Sequence, residues 1–429
     1  MRDPAYHRGM ATHPFSSTLR RIVLACAGVV SLAAAPLQAA TDPALEHAQA
    51  LLAKGILFDG HNDLPWAIRG WKDAPGDVDA YDIRTRAPEG GQTDIPRLRA
   101  GGVGAMFWSV YTPGEAAGGF AKTQLEQIDL ARRVIAKYPD TFTLASTAAD
   151  IRAAKAAGKI GGMLGAEGGH AIEDSLALLR MYYALGVRYM TLTHNNHTSW
   201  ADSAMASEPG QGGLNEFGEQ VIAEMNRLGM LVDLSHAHPD TMRDAIGFSQ
   251  APVIFSHSNA RALTEIPRNV PDDVIRMLPA NGGVLMVSFV APFASQAAAD
   301  VAFPAMKEYL VRAQGRPEAE RKAIYEEIAA ETKAKMPKVT VAAVADHLDY
   351  IKMLAGVDYI GIGSDYDGNS NWPEGMEDVS TFPLLIAELV RRGWSDEDIL
   401  KVMGGNVLRA LEQAEQVAKK LQGAGAPAP

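Results

Sequence analysis

Cysteine is nearly missing. Cys26 is the only one in 429 residues, and it lies in an apolar stretch near the N-terminus. The rest of the chain therefore has no disulfide, no cysteine nucleophile and no thiolate metal site. Long apolar runs are missing too: after residue 40 nothing stays apolar for the roughly 20 residues that a bilayer-spanning helix needs. Excess positive charge is absent, and the formal net charge of −11 removes the electrostatic footprint of a nucleic-acid binder. No complete G-x-G-x-x-G or Walker loop occurs, and no segment repeats at a fixed period. Histidine is sparse, 11 residues in all, which makes its placement informative.

The N-terminus reads as a targeting segment. Arg20-Arg21 precede the apolar stretch IVLACAGVVSLAAAPL (22–37), and Gln38-Ala39-Ala40 follow. Basic flank, short apolar run and small residues are the parts of a secretory signal peptide, with cleavage near Ala39 or Ala40. Translation from Met10 would shorten the leader. "LRRIVL" is a weak twin-arginine signal and "VLAC" resembles a lipoprotein box, so the export route stays open. The expectation is an exported protein, periplasmic or secreted, with no membrane anchor. It comprises a signal peptide over 1–40, one domain over 41–412, and a tail over 413–429 that is disordered by composition and ends in GAGAPAP.

Between these ends a short apolar run, a loop and an amphipathic stretch recur. Eight runs stand out: 55–60, 103–111, 160–167, 188–194, 230–236, 252–257, 283–289 and 359–365. Continuous apolar runs of this length suggest strands buried on both faces. Helical periodicity separates them, as in TQLEQIDLARRVIAKY (123–138) and NEFGEQVIAEMNRLG (215–229). Eight strands alternating with helices predict an α/β fold, a closed (β/α)8 TIM barrel. The link between the seventh and eighth runs is too long for one helix. Residues 304–335 read as a charged helical insertion, outside the barrel or over its mouth.

Polar residues collect at the ends of these runs. His61 and Asp63 follow the first, in FDGHNDLP; Glu167 ends the third, His194 the fourth, His236 the fifth, His257 the sixth and Asp365 the eighth. In a barrel, the C-terminal strand ends form one rim, where active sites sit. Imidazoles and carboxylates are zinc ligands, and a catalytic zinc needs about three of them. Five or six donors suit two ions that share a carboxylate. Glu167 is the natural bridge, with His61 and Asp63 on one ion and His236 and His257 on the other.

With these motifs assembled, the sequence resembles the membrane (renal or microsomal) dipeptidases, peptidase family M19 of the amidohydrolase superfamily. DGHNDLP, GAEGGH, GVRYMTLTHN, NRLGMLVDLSH, PVIFSHSNAR, RNVPDD and GIGSDYDG stand in the family's order from about residue 50 to about 412. The resemblance implies a binuclear zinc site bridged by Glu167. It assigns His194 to the scissile carbonyl, Arg268 to the substrate carboxylate, and Asp365 to acid/base work and the substrate amine. A metal-bridging hydroxide would then attack the peptide bond of a dipeptide, whose C-terminal residue can have the D configuration. A homodimer is compatible with the family. The cysteines and C-terminal anchoring signal of animal members are absent.

Other readings compete. An N-acyl-amino-acid amidohydrolase would use the same binuclear site. A barrel glycosidase would use Glu167 and Asp365 as its carboxylate pair, without metal. A metal-binding protein without catalysis would bind zinc but hydrolyse nothing, and the complete ligand set with Asp365 argues against it. Ser235 and Ser256 lie beside histidines, but neither is in a G-x-S-x-G elbow. His170, just past Glu167, is a candidate to support the ligands. His197 and His238 read as loop neighbours, His47 and His347 as surface or packing residues, and Asp59 and Asp367 as structural.

Overall fold

The computed structural model of this chain describes residues 42–423, apart from Glu89 and Ala117. The segment read as a signal peptide lies outside the described residues. Nine strands occur among them: β1 (Leu57–Asn62), β2 (Val103–Tyr111), β3 (Phe142–Leu144), β4 (Ile160–Glu167), β5 (Val187–Thr191), β6 (Leu231–Asp233), β7 (Ile254–Phe255), β8 (Val284–Val287) and β9 (Ile360–Ile362). Every pairing is parallel. The order β1–β2–β4–β5–β6–β7–β8–β9 returns to β1, so eight strands close a ring. With helices around it, this is the expected (β/α)8 barrel. Each of the eight apolar runs overlaps one of its staves.

The ninth strand is an addition to the sequence reading. β3 pairs with residues 160–162 of β4, whereas β5 pairs with residues 164–167. β2 runs along residues 161–167, so β3 and β5 divide the other edge of β4. Three residues, FTL, give too short a run to stand out from a loop.

Side chains alternate along the staves, as strand geometry requires. Phe58, Phe107, Tyr189, Leu231, Ile254 and Met286 fill one cluster; Leu57, Trp108, Met190, Val232, Phe255 and Leu285 fill another. The first cluster is the interior of the ring. Phe107 contacts Phe58 with ring centroids 5.0 Å apart and Tyr189 at 4.8 Å, joining three different staves. The second faces the helices. All twelve of these side chains are buried, and fully burying one such group contributes about 1.5 to 3 kcal/mol.

The C-terminal segment corrects the expected tail boundary at 413. A helix runs from Asn406 to Gly423, and its Val407, Leu408, Leu411 and Ala414 join the interior cluster. Apolar residues at three- and four-residue spacing form one buried stripe, which the composition of the last few residues obscures. Gln422 Nε2 also donates to the Arg227 carbonyl at 2.7 Å. Residues 424–429 lie outside the described residues.

The insertion between β8 and β9 is helical, as expected. It begins earlier than residue 304, with helices Gln296–Ala313 and Glu318–Lys335. Pro304 falls inside the first of them. Arg312 ties the pair, at 3.0 Å from Glu308 and 2.8 Å from Glu327. Ala302, Phe303 and Met306 face a cavity that also contains His194, His236, His257 and Asp365. The insertion therefore walls the barrel mouth.

Candidate metal centre

Short turns after the staves carry the polar groups inward. His61 lies within β1 and Asp63 follows it as the cap of helix Leu64–Gly70. Glu167 ends β4. His236 and Asp365 adopt left-handed backbone, φ 67° and 71°, a region uncommon for residues with a side chain. All five, and His257, are buried.

Glu167 is the hinge of the arrangement. Its Oε2 is 3.4 Å from His61 Nε2 and accepts from Ser109 Oγ at 3.1 Å. Its Oε1 is 3.1 Å from His236 Nε2 and 3.4 Å from His257 Nε2. On the first side, Asp63 Oδ2 is 3.1 Å from His61 Nε2, yet that nitrogen is buried and has no hydrogen-bond partner. On the second, the Nε2 atoms of His236 and His257 approach to 3.0 Å. Two imidazole nitrogens that close, and a third orphaned among carboxylates, are arranged as ligands converging on a cation.

The far sides of the rings fix which nitrogen faces the site. Ser256 Oγ donates to Asp233 Oδ2 at 2.7 Å, so its oxygen accepts the Nδ1 proton of His257 at 2.9 Å. His236 Nδ1 lies 3.1 Å from the Asn195 side-chain oxygen, which can only accept. Both Nε2 lone pairs then point inward, the tautomer a metal ligand needs. His61 Nδ1 contacts Tyr189 Oη at 2.8 Å. Gly368 supplies room: a Cβ there would lie 2.3 Å from Asp63 Oδ2 and 2.6 Å from Asp365 Oδ1. Three groups of donors are close enough to hold an ion: His61, Glu167 and His257; Glu167, His194 and His236; His61, Asp63 and Asp365. Glu167 belongs to two of the three groups, and imidazoles with carboxylates suit a divalent cation.

Charge is unbalanced in this space. Burial lowers the pKa of His194, His236 and His257 well below the ordinary value, and nearby Arg268 adds to it. Burial also raises the Asp365 carboxyl well above the ordinary range; Asp63 and Glu167 push the same way, against His61 and Arg268. His61 goes up in spite of its burial, because Tyr189, Glu167 and Asp63 outweigh it. Burial brings Arg268 down to about 10, opposed by Asp365, Glu167 and Asp233. It remains a cation at neutral pH. Its Nη1 is buried with no partner, and its guanidinium lies 5.1 Å from the Phe293 ring centre. The open space between these groups is about 460 Å3.

The eight residues singled out from the sequence thus meet at one rim. Of the others, His170 does not reach Glu167; its Nε2 meets the Thr112 carbonyl at 2.9 Å and braces the neighbouring loop. His197 Nδ1 accepts from Ser203 N and His238 caps helix Pro239–Phe248. His47 is exposed beside Asp396, and His347 is buried. Sequence reasoning missed Asn195, Tyr189 and Asp233. Asn195 adjoins His194, but Tyr189 and Asp233 look like ordinary strand residues until the ring closes.

The family model described as "Membrane dipeptidase (Peptidase family M19)" matches residues 45–425. The chain belongs to the M19 membrane dipeptidase family. Among its relatives, dipeptidase verJ of Clonostachys rogersoniana is 39% identical over 395 residues, covering 90% of each chain. Two solved structures share the fold. The probable dipeptidase PvdM of Pseudomonas aeruginosa superposes with a TM-score of 0.76 at 24% identity, covering 87% of this chain and 99% of its own. A metallopeptidase of Rhodobacter sphaeroides, liganded with a phosphinate mimic of L-Ala-D-Ala, gives 0.67 at 24% identity, covering 84% and 99%. The enzyme is a metal-dependent dipeptidase.

Proposed function

We propose that the enzyme is an exported dipeptidase that holds two zinc ions, one by His61, Asp63 and Glu167 and one by Glu167, His236 and His257. The observation that carries this reading is the Glu167 carboxylate, with one oxygen toward His61 and the other toward His236 and His257. Bound divalent ions supply Lewis acidity and lower the pKa of water. Everything else falls to the chain's own groups.

Arg268 takes the substrate carboxylate through its unpartnered nitrogen, a charge-assisted contact that favours peptides too short to pass the insertion. Asp365, as a carboxylate, meets the free amine, or takes up a proton from water and passes it to the leaving nitrogen. His194 is kept neutral by burial and by Arg268, so one ring N–H can donate to the carbonyl oxygen as charge builds there. One such donor contributes roughly 3 to 4 kcal/mol to lowering the barrier. A carboxyl group at the amine position favours dipeptides with a free N-terminus over N-acylated ones. The phosphinate ligand of the Rhodobacter sphaeroides relative motivates including C-terminal D residues among the substrates. Export rests on the sequence pattern of residues 1–40.

The test is metal analysis with a panel of free and N-acylated dipeptides of both C-terminal configurations, on wild type and Glu167→Gln. The expected outcome is about two zinc ions per wild-type chain, turnover of free dipeptides, and loss of both in the variant. Full occupancy and turnover in Glu167→Gln would remove Glu167 from the bridge.

A further inference from the structure

The cavity is not walled alike on all sides. Its donors lie along the rim, from Asp63 to Asp365. Beside Arg268 the wall turns apolar: Phe293 lies under the guanidinium, and Pro292, Phe303 and Met306 continue it. A second cavity of about 410 Å3 adjoins it between helices Gln296–Ala313 and Glu318–Lys335. The two share Ala302, Met306 and Asn371. Past Met306 the groove is lined by Tyr309, Tyr325 and Ile328, with the two tyrosine rings edge to face at 5.7 Å. Met306 and Tyr325 are 37% and 54% exposed. Large apolar side chains grouped at the door of a polar site are unfavourable in water unless a ligand covers them.

We propose that this groove is the subsite for the side chain of the substrate's C-terminal residue, and that it selects large apolar or aromatic side chains there. The proposal rests on Arg268 as the carboxylate anchor. The C-terminal α-carbon is bonded directly to that carboxylate, so its side chain leaves the backbone beside Phe293. From there the apolar wall leads through Phe303 and Met306 into the groove. Trp66 and Tyr111 line the cavity as well, edge to face at 4.8 Å, but neither lines the groove, which joins the cavity at Ala302, Met306 and Asn371. Each additional apolar group seated in such a pocket changes kcat/KM by roughly tenfold or more.

Kinetics on the zinc-loaded enzyme test this, with Ala-Phe, Ala-Phe amide, Ala-Leu and Ala-Gly as substrates and wild type, Met306→Asn and Tyr325→Ser as enzymes. Both substituted positions are solvent-accessible, and thermal melting checks that each variant is folded. The wild type should prefer Ala-Phe to Ala-Gly about tenfold or more in kcat/KM. Each variant should cut that ratio about fivefold, through KM for Ala-Phe. A wild-type ratio near one overturns the proposal, and so does a preference that both variants leave intact. If Ala-Phe amide is cleaved as well as Ala-Phe, the carboxylate-anchor reading falls and takes this one with it. Turnover with a flat ratio removes the groove alone.

Discussion

At the scale of the residue, what sets the metal centre apart is the control of single protons and single atoms. Asp233 never faces the cavity, yet it accepts from Thr191 Oγ1 at 2.5 Å and from Ser256 N and Oγ at 2.8 and 2.7 Å. Through Ser256 it dictates the His257 tautomer. Ser256→Ala leaves Nδ1 without its acceptor and should weaken zinc binding about 10- to 100-fold; a chelator competition titration reads this, and activity should recover with excess metal. Gly368→Ala forces a Cβ against Asp63 and Asp365. On the proposed two-ion reading it should empty the position next to His61 while sparing the one next to His236, so metal analysis should find about half the metal bound by the wild type. Arg268→Met removes a buried cation with a free donor. It should lower kcat/KM for dipeptides about 30- to 150-fold, a barrier rise of about 2 to 3 kcal/mol, and leave dipeptide amides almost unaffected, as paired kinetic runs would show.

At the scale of the element, legibility follows length and pattern. The staves are readable because strands buried on both faces leave continuous apolar runs, such as VGAMFWSVY in β2. β3 is not, because three residues carry no periodicity. The donors at strand ends are readable because histidine is scarce and the fold directs strand ends to one rim. Tyr189 and Asp233 are not, since their roles depend on which neighbour the ring brings beside them. The last helix runs past the expected boundary at 413: composition near GAGAPAP masks the stripe of Ala414 and Ala418, both buried. That stripe has a measurable weight. A chain ending at Glu412 loses these contacts and the Glu415 carboxylate that accepts from Ala148 N at 2.8 Å. It should lose about 2 kcal/mol of stability, read as a lower midpoint in denaturant.

At the scale of the whole molecule, acid and metal act on the same folded ring. His347 is buried, its Nδ1 accepting from Ala260 N at 3.1 Å and its Nε2 3.3 Å from the Ala294 carbonyl. Burial pushes it down to about 4, against the Ala294 contact and Asp346. Its folded pKa is below the unfolded value of about 6.5, so the unfolded chain binds the extra proton in between. Stability is therefore full above about pH 6.5 and falls as pH drops toward 4, by about 3 kcal/mol from this group. His347→Gln should flatten that part of a stability-against-pH curve measured by denaturant titration. The segment 296–338 that roofs the mouth is stitched into a single gap between two staves, and a small apolar cluster of its own, Ala291, Ala298 and Val339, secures its ends. A change there alters what the enzyme accepts while the hydrolytic hearth keeps its form, so diet and chemistry can drift apart over evolutionary time.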